Sequence, residues 1–420
     1  MNILIKNGRI IDPANQVDMI TSIGIKNNKI HAMSELADHQ SYDKIIDAQD
    51  CWVIPALVDL CNRPYLKHPH GTTLKHEANI AAEKGIAALC IPPDTNPIID
   101  NTSELQRIKN DASRVTSKLY TIAALTQSLA GKSITDFSAL KEAGCIALSQ
   151  AQSTPLTSHF LRTCYDYAAS FDIPVVIQPQ DWSLSQDGCA HEGAVATRLG
   201  LPAIPYTAET IAIAQHLALI EQTGIQAHFT CLSAHQSLEL ILQAKQKGLP
   251  VTADVAMHSL ILSEMDVMHF DGHCHLYPPL RSQSDQIGLI QGVQNQTIDA
   301  ICSDHRPLDA MAKLAPFAET LPGLSSIDTY LSLGISLVEK QKLDAATLVR
   351  ALTANPASIF NLPAGCLTVG DEANICIVNP KAYWQVTSDS MQSAGKNSPF
   401  RGWELPGKII HTIIQGDLIH

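Results

Sequence analysis

Two short clusters of histidine, cysteine and aspartate stand out in the sequence, because these side chains bind metal ions and transfer protons. One is KHPHGTTLKH, which contains His68, His70 and His76, and the other is DGHCH, which runs from Asp271 to His275. Neither cluster has the spacing of a strong zinc site, and the proline and glycine of the first are typical of turns. We predict that both are solvent-exposed loops rather than metal sites.

A third group of reactive side chains lies in residues 297–307, TIDAICSDHRP, where Cys302, Asp304 and His305 follow a short apolar run. A cysteine without an adjacent base is more often packed than nucleophilic, so we predict that Cys302 belongs to the core. The sequence contains no Gly-x-Ser-x-Gly motif and no glycine-rich phosphate loop. Serine-hydrolase and nucleotide-phosphate chemistry are therefore not indicated.

The elements that would position these residues alternate between buried strands and amphipathic helices through the middle of the chain. The predicted strands are residues 53–60, 86–91, 119–125, 145–149, 174–178, 226–230, 250–255 and 299–303. The clearest predicted helices are residues 74–84, 158–170, 208–223, 233–247 and 285–294. This alternation predicts an α/β fold of the (β/α)8 TIM-barrel type, in which functional residues lie at the carboxyl ends of the strands.

Both ends of the chain have a different pattern, with short alternating apolar and polar runs separated by turn residues. These runs are residues 2–11, 22–33 and 44–47 near the amino end, and 374–378 and 408–414 near the carboxyl end. We predict that residues 1–52 and 368–420 together form a small β-sandwich domain. Residues 53–367 are then predicted to form the barrel.

Composition limits the partners and the location of the protein. The 420 residues carry a formal net charge of −12, which disfavours binding to nucleic acid or to an anionic membrane. The eleven cysteines form no Cys-x-x-Cys pair, which suits reduced thiols better than a disulfide framework. The first residues lack a signal-peptide pattern, and no apolar run is long enough to span a bilayer. We therefore predict a cytoplasmic protein that does not bind membranes.

A series of motifs follows along the chain in a distinctive order. They are residues 52–60 (WVIPALVDL), 91–97 (IPPDTNP), 189–200 (CAHEGAVATRLG), 252–259 (TADVAMHS), 277–281 (YPPLR), 297–307, 315–323 (APFAETLPG), 354–360 (ANPASIF) and 369–375 (VGDEANI). This series resembles dihydroorotases and related cyclic amidohydrolases. Each motif is weak alone, but their shared order and consistent spacing cover nearly the whole chain and make the resemblance specific.

The resemblance implies a zinc-dependent hydrolase, because a bound metal ion lowers the pKa of its water to about 7 and polarises the scissile carbonyl. The family's ligands are histidines and a carboxylate or carbamylated lysine at the ends of barrel strands. At these positions the sequence has Cys61, Arg63, Gln150, Gln178 and Cys231. Only the eighth-strand aspartate, Asp304, is retained, and in active relatives it binds metal and acts as general acid and base.

Arginine is the most informative of these replacements, because a guanidinium stays protonated and has no lone pair to offer a metal ion. Arg63 would place a positive charge beside the metal position, so we expect no metal and no other cofactor. We hypothesise that Arg63 pairs with Asp304, since both follow strands that end in the same barrel mouth. The alternative is that Asp304 faces bulk water.

The positions that would bind substrate also depart from the family pattern. The arginine that clamps the dihydroorotate carboxylate corresponds to Tyr65, the asparagine of the second-strand motif to Asp94, and a histidine after the eighth strand to Leu308. A negative charge at Asp94 would repel an anionic substrate. His258 and His305 match family positions near the mouth, where we expect packed histidines.

Given this resemblance, the loss of the metal-binding and substrate-binding residues predicts a catalytically degenerate dihydroorotase homologue that is not an enzyme. Within the family, such chains serve as structural subunits of bacterial aspartate carbamoyltransferase, so the implied partner is the catalytic chain of that enzyme, in pyrimidine biosynthesis. We expect a homo-oligomer within this hetero-oligomer. One alternative is an active zinc-dependent cyclic amidohydrolase with a rearranged site of Cys61, Cys231, His258 and Asp304. Another is a sensor that binds a pyrimidine or nucleotide without turnover.

Overall fold

The computed structural model describes residues 1–34, 41–64, 74–113, 115–151 and 154–420. The centre of this described part is a sheet of parallel strands, each paired with the next in chain order. The strands are Leu57–Asp59, Ile86–Ile91, Lys118–Ala124, Ala147–Ser149, Val175–Ile177, Ala227–Phe229, Val251–Ala256 and Ala300–Cys302. Each overlaps one of the predicted strands, which confirms the α/β barrel; we call them the first to eighth barrel strands.

Helices return the chain between the strands. The α-helices of the described residues are Leu74–Glu83, Thr102–Ala112, Phe137–Glu142, Ser158–Ala169, Trp182–Ser185, Ala194–Leu199, Thr207–Thr223, Gln236–Gln246, Gln283–Gln294, Tyr330–Glu339, Ala345–Leu352 and Ala354–Ile359. Shorter 3-10 helices are Gln127–Leu129, Met257–Leu260, Glu264–Val267, Gly272–Cys274, Ala310–Lys313 and Phe317–Glu319. Several helices begin at a residue whose side chain caps them. The Thr157 side chain, for example, accepts from the backbone N–H of Phe160 at the start of the helix Ser158–Ala169. All the helices predicted from sequence are present, with ends shifted by no more than three residues.

The first and eighth barrel strands are joined at the mouth of the barrel. Asn62 forms an isolated parallel bridge with His305. The buried carboxylate of Asp59 accepts from the backbone N–H of Ser303 at 2.9 Å and from Asn62 Nδ2 at 2.9 Å. Burial raises the pKa of Asp59 to about 6, although these hydrogen bonds act in the opposite direction. This junction holds the residues that follow both strands next to each other.

Strands from both ends of the chain form a second sheet, the terminal sheet. Its strands are Ile3–Asp12, Val17–Lys26, Lys29–Met33, Lys44–Asp47, Trp52–Pro55, Ile375–Gln385, Glu404–Ile414 and Asp417–Leu418. Ile5, Ile23, Ile375 and Ile413 come from both ends and are buried in one core cluster. This confirms the small β domain built from the two termini; its boundaries at residues 52 and 368 stay predictions. A separate pair of strands, Ala190–His191 and Ala203–Ile204, follows the fifth barrel strand.

The predicted first strand, residues 53–60, is in fact two strands that belong to different sheets. Trp52–Pro55 pairs with strands of the terminal sheet, whereas Leu57–Asp59 pairs with the second barrel strand. Between them, Ala56 donates its backbone N–H to Asn374 of the carboxyl-terminal part at 2.9 Å. Residues 52–60 are all buried, so their hydrophobicity forms one continuous run and does not reveal the change of sheet.

The thiols agree with the expectation from composition. All eleven cysteines are free, and only Cys366 among them is not buried. No helix in the described part of the chain has the length and apolar character needed to cross a membrane. The cytoplasmic location stays a prediction.

Candidate functional site

The carboxyl ends of the parallel barrel strands meet at one mouth, where the positions carried over from the family pattern are found. Cys61 and Arg63 follow the first strand, Cys231 the sixth and Asp304 the eighth. Cys231 and Asp304 both have left-handed backbone conformations, with φ of 56° and 45°. For residues other than glycine this conformation costs of order 1 kcal/mol and is concentrated at functional sites. Other non-glycine residues of the described chain also have positive φ, so this conformation does not by itself mark the strand ends as a functional site.

The guanidinium of Arg63 lies at the centre of this group, which we call the Arg63 cluster (Cys61, Arg63, Asp94 and Asp304). Its Nη1 donates to Asp304 Oδ1 at 2.7 Å and to Cys61 Sγ at 3.0 Å, and its Nε donates to Asp94 Oδ2 at 2.9 Å. The side chains of Arg63 and Asp304 are only 7% and 11% exposed. The predicted Arg63–Asp304 pair is confirmed, and the alternative that Asp304 faces bulk water is wrong.

One buried cation in this cluster faces three acidic groups. Burial lowers the pKa of Arg63, but Asp94, Cys61 and Asp304 outweigh it and raise that pKa well above the usual value. Hydrogen bonds from two neighbouring thiols, together with the charge of Arg63, lower the pKa of Cys61 well below that of an ordinary thiol. Burial and the nearby Cys61 raise the pKa of Asp304 well above its usual range, although Arg63 acts in the opposite direction. Cys61 is therefore the acidic thiol of the cluster, and the raised pKa of Asp304 reflects its burial beside that thiol.

Buried thiols adjoin the Arg63 cluster inside the barrel. Cys231 Sγ lies 3.7 Å from Cys302 Sγ, and Cys302 donates to Asp254 Oδ1 at 3.3 Å. Two sets of potential ligand atoms each lie within 4.8 Å of one another: Cys61 and Cys231 with Asp304, and Cys231 and Cys302 with Asp254. Cys302 is fully buried in a hydrophobic cluster, so its prediction as a core residue is confirmed.

These residues do not fit the zinc centre that the resemblance implies. Cys61 Sγ and Asp304 Oδ1 both accept from Arg63, so a metal ion held by them would stand against a permanent buried cation. At about 4 Å and an effective dielectric constant of about 20, each unit of charge on the ion is repelled by roughly 4 kcal/mol. In the second set, Asp254 already accepts from His228 Nε2 at 2.9 Å and from the backbone N–H of Cys231 at 2.6 Å.

The space beside Arg63 is also small. A void bounded by Cys61, Arg63, Gln178 and neighbouring apolar side chains has a volume of about 10 Å³. That is about the space needed for a single water molecule. The described side chains therefore leave little free space beside Arg63, at the strand ends where the family pattern has its metal ligands.

The two glutamines at former ligand positions have different contacts. Gln150 Nε2 donates to Leu129 O at 3.0 Å, and its Oε1 accepts from Thr126 Oγ1 at 3.0 Å. Gln178 Oε1 accepts from Arg63 Nη2 at 3.5 Å, and its buried Nε2 has no hydrogen-bond partner among the described residues. Gln178 thus adjoins the Arg63 cluster, whereas Gln150 binds the loop that follows the third barrel strand.

Both histidines predicted near the mouth are buried. His305 Nε2 lies 3.2 Å from Glu77 Oε2, and its Nδ1 accepts from the backbone N–H of Ser326 at 3.0 Å. Glu77 also accepts from the backbone N–H of Ala394 at 2.8 Å, so His305 belongs to a structural network that reaches the carboxyl-terminal part. His258 is different, because neither ring nitrogen has a partner in the described part of the chain. Burial lowers the pKa of His258 to about 4.

The DGHCH cluster is not the exposed loop that its polarity predicts. Gly272–Cys274 forms a short 3-10 helix, and both Cys274 and His275 are buried. The His275 ring stacks on Phe317, and its Nδ1 lies 2.8 Å from Thr320 Oγ1. The covering residues come from a loop about forty positions later in the chain. Local polarity therefore gave no sign of this burial.

The remaining predicted residues are placed as follows. His76 is exposed on the helix Leu74–Glu83, at 3.2 Å from Gln392 O. Leu308 is buried, and its backbone N–H donates to Asn397 Oδ1 at 2.8 Å. Tyr65, His68 and His70 lie outside the described residues.

Sequence reasoning missed two features of the mouth. Arg306 directly follows the retained Asp304–His305 pair, and burial together with the nearby Arg63 lowers its pKa. Its place in the eighth-strand motif could have identified this second guanidinium. The other feature is a cavity beside the fourth and fifth strands that is lined by Trp182 and His216, among others. These residues belong to no motif, so only the fold brings them together.

The family model for the amidohydrolase family matches residues 63–419, and the chain therefore belongs to that family. Within it the chain is dihydroorotase-like. It is 38% identical over 424 residues to a dihydroorotase-like protein of Pseudomonas aeruginosa, with 100% of both chains covered. It is 34% identical over 425 residues to a dihydroorotase of Syntrophus aciditrophicus, with 100% of this chain and 99% of that one covered. The L-hydantoinase (dihydropyrimidinase) of Arthrobacter aurescens shares the fold, with a TM-score of 0.88 at 20% identity over 99% of this chain and 95% of that one.

Proposed function

We propose that this chain is a catalytically degenerate dihydroorotase homologue that acts as a structural and regulatory subunit of aspartate carbamoyltransferase in pyrimidine biosynthesis. One observation carries the loss of catalysis: the Arg63 guanidinium occupies the mouth and is bonded to Asp304, Asp94 and Cys61. A hydrolase needs that space for an activated water and a polarised carbonyl. In this chain Asp304, the retained family aspartate, is engaged in an ion pair instead.

The choice of partner rests on the dihydroorotase-like sequence and on chemistry. Carbamoyl aspartate, the product of the transferase, is the compound that a dihydroorotase interconverts with dihydroorotate. A chain that keeps the dihydroorotase fold without its metal ligands can keep a surface evolved to meet the transferase while the chemistry is lost. The acidic surface, with a net charge of −12, further favours a protein partner over nucleic acid.

The test is co-expression of the full chain with the aspartate carbamoyltransferase of the same organism, followed by sizing and assay of both activities. We expect one mixed assembly with transferase activity and no dihydroorotase activity. The transferase expressed without this chain serves as the control, and it should be smaller and less active or less stable. Separate elution of the two chains, with transferase activity unaffected, would contradict the proposal.

The second candidate is an active cyclic amidohydrolase with a rearranged zinc site. The grouping of Cys61, Cys231 and Asp304 within 4.8 Å favours it. In that case the purified chain should contain about one zinc ion, and a chelator should remove zinc and dihydroorotase activity together. Zinc well below one equivalent, with no hydrolysis of dihydroorotate when zinc is added, would reject this candidate and leave the first intact.

A further inference from the structure

The loop of residues 309–321, which comes after the eighth barrel strand, has its polarity reversed. Met311, Leu314 and Leu321 are 76%, 71% and 56% exposed, whereas the side chain of Lys313 is buried. Folded proteins ordinarily bury methionine and leucine and leave lysine in water. The loop shows the opposite arrangement, and it therefore has the polarity of a surface that another molecule covers.

Buried contacts hold this loop in one arrangement. Lys313 Nζ donates to His275 O at 3.0 Å, and the Phe317 ring stacks on the His275 ring. The backbone N–H of Leu321 donates to Ala312 O at 3.0 Å, which joins the two ends of the loop. The ammonium group and the aromatic ring of the loop are thus used for packing against the barrel. These contacts determine which side of the loop faces out, and that side carries the apolar residues.

A second segment extends the apolar surface. Phe270 is 49% exposed and lies two residues before Gly272. A Cβ atom at Gly272 would lie only 3.0 Å from Lys313 O, so this segment packs directly against the loop. The exposed large apolar residues of the two segments form what we call the apolar patch: Phe270, Met311, Leu314 and Leu321. Grouped apolar side chains on a protein surface commonly mark contacts with other proteins.

The charges beside the apolar patch are mainly acidic. Of the loop's own charged side chains, Asp309 and Glu319 are exposed and Lys313 is buried. Arg401 adds one exposed cation, 2.9 Å from His273. Exposed carboxylates repel the phosphates of nucleic acid and of anionic lipids. A second copy of this chain is disfavoured too, because each copy carries a net charge of −12.

We propose that the apolar patch is the surface on which the catalytic chain of the transferase docks, with an apolar face bordered by lysine and arginine side chains. This inference rests on the proposed function and names the surface through which that assembly forms. Association would remove Met311 and Leu314 from water, and apolar burial of this kind drives assembly. Asp309 and Glu319 would meet basic residues at the border and steer the encounter. The reversed polarity of the loop is then explained, because its outer side is buried in the assembly.

The test is titration of the purified full chain with the purified aspartate carbamoyltransferase of the same organism, followed by calorimetry. The patch variant Met311→Ser/Leu314→Ser should weaken binding about a hundredfold, because two apolar anchors are lost. Glu319→Lys should weaken binding about threefold to tenfold, mainly through slower association, and the difference should shrink at high salt.

Met19→Ser/Ile20→Ser is the matched control variant. Met19 and Ile20 are 57% and 71% exposed on the strand Val17–Lys26 of the terminal sheet, outside the apolar patch. The control variant removes a similar exposed apolar surface and should leave the affinity unchanged. Both double variants change surface residues only, so we expect both to fold, and circular dichroism checks this.

The possible results separate this inference from the proposed function. A wild-type complex that the patch variant forms equally tightly would overturn the inference and leave the proposed function intact. Equal weakening in the patch and control variants would overturn it as well. Self-association of the free chain that the patch variant abolishes would assign the apolar patch to a second copy instead. No complex between the transferase and the wild-type chain would reject the proposed function itself.

Discussion

The two sides of the barrel mouth differ in how their polar groups are satisfied. At the first and eighth strands, Arg63 is surrounded by Asp304, Asp94 and Cys61, and the void beside it holds about 10 Å³. At the fourth and fifth strands, a cavity of about 530 Å³ remains, and the buried amide nitrogen of Gln178 has no hydrogen-bond partner in the described part of the chain.

The comparison bears on the proposal that the metal site of the family has been replaced in this barrel. Removing metal ligands leaves buried acidic groups that are costly unless a cation or hydrogen bonds offset them. Arg63 provides a fixed cation on the side where Asp304 remains. The side that carries the neutral glutamines Gln150 and Gln178 needs no such cation, and it stays open.

Of the changes considered, removing the cation of the Arg63 cluster should cause the largest loss of stability. Arg63→Ala leaves the buried carboxyl of Asp304 and the partly buried carboxylate of Asp94 without their partner, and we expect it to lower the free energy of unfolding by about 3–5 kcal/mol. Urea denaturation followed by circular dichroism measures this change. A loss below about 1 kcal/mol would show that water compensates the carboxylates and that the cluster is not a structural replacement for the metal.

His258, whose ring nitrogens have no partner among the residues that the structure describes, should make the fold sensitive to acid. Folded His258 stays neutral down to about pH 4, whereas the unfolded chain takes up the proton near pH 6.5, so stability falls as the pH decreases through this window. His258→Leu removes this term, and we expect it to recover about 2 kcal/mol of the loss between pH 7.5 and pH 5. Urea denaturation at both pH values provides the measurement; an equal acid-induced loss in wild type and variant would contradict it.

Replacing Asp304, one of the acidic partners of Arg63, should lower the stability less than replacing Arg63 itself. Burial and Cys61 raise the pKa of Asp304, so Asp304→Asn removes a charge that the site already disfavours, and Asp94 still pairs with Arg63. We expect a loss of about 1–2 kcal/mol, less than for Arg63→Ala. Thermal denaturation of both variants and of the double variant tests this order. The reverse order would mean that Asp304, rather than Arg63, organises the cluster.

An exposed ion pair should show the smallest change in the free energy of unfolding. Arg162 and Asp166 lie one helical turn apart at 3.7 Å, with side chains 46% and 57% exposed. We expect Arg162→Ala to change the free energy of unfolding by less than about 0.5 kcal/mol in the same urea assay. A larger loss would indicate that replacing any arginine destabilises this chain. The loss measured for Arg63→Ala could then not be assigned to the Arg63 cluster.

Much of the barrel could be predicted because its signals are local. Each barrel strand is a short buried apolar run, and the helices between them have regular apolar spacing, so both are visible in a single window of sequence. The pairing of Arg63 with Asp304 was also predictable, since both follow strands that end at the same mouth. The switch of sheets at Ala56 was not, because its buried neighbours form one apolar run.

The sequence by itself determined the fold class and the presence of a cation, Arg63, after the first barrel strand, because these follow from residue types and their order along the chain. Only the tertiary structure decided that Asp94 is a second partner of Arg63, that His275 is buried under Phe317, and that Gln178, Trp182 and His216 border one cavity. Apart from Gln178 and Trp182, which are close in the sequence, these residues lie about thirty to about forty positions from each other. No local pattern records them, because they depend on how the strands and loops pack around the barrel.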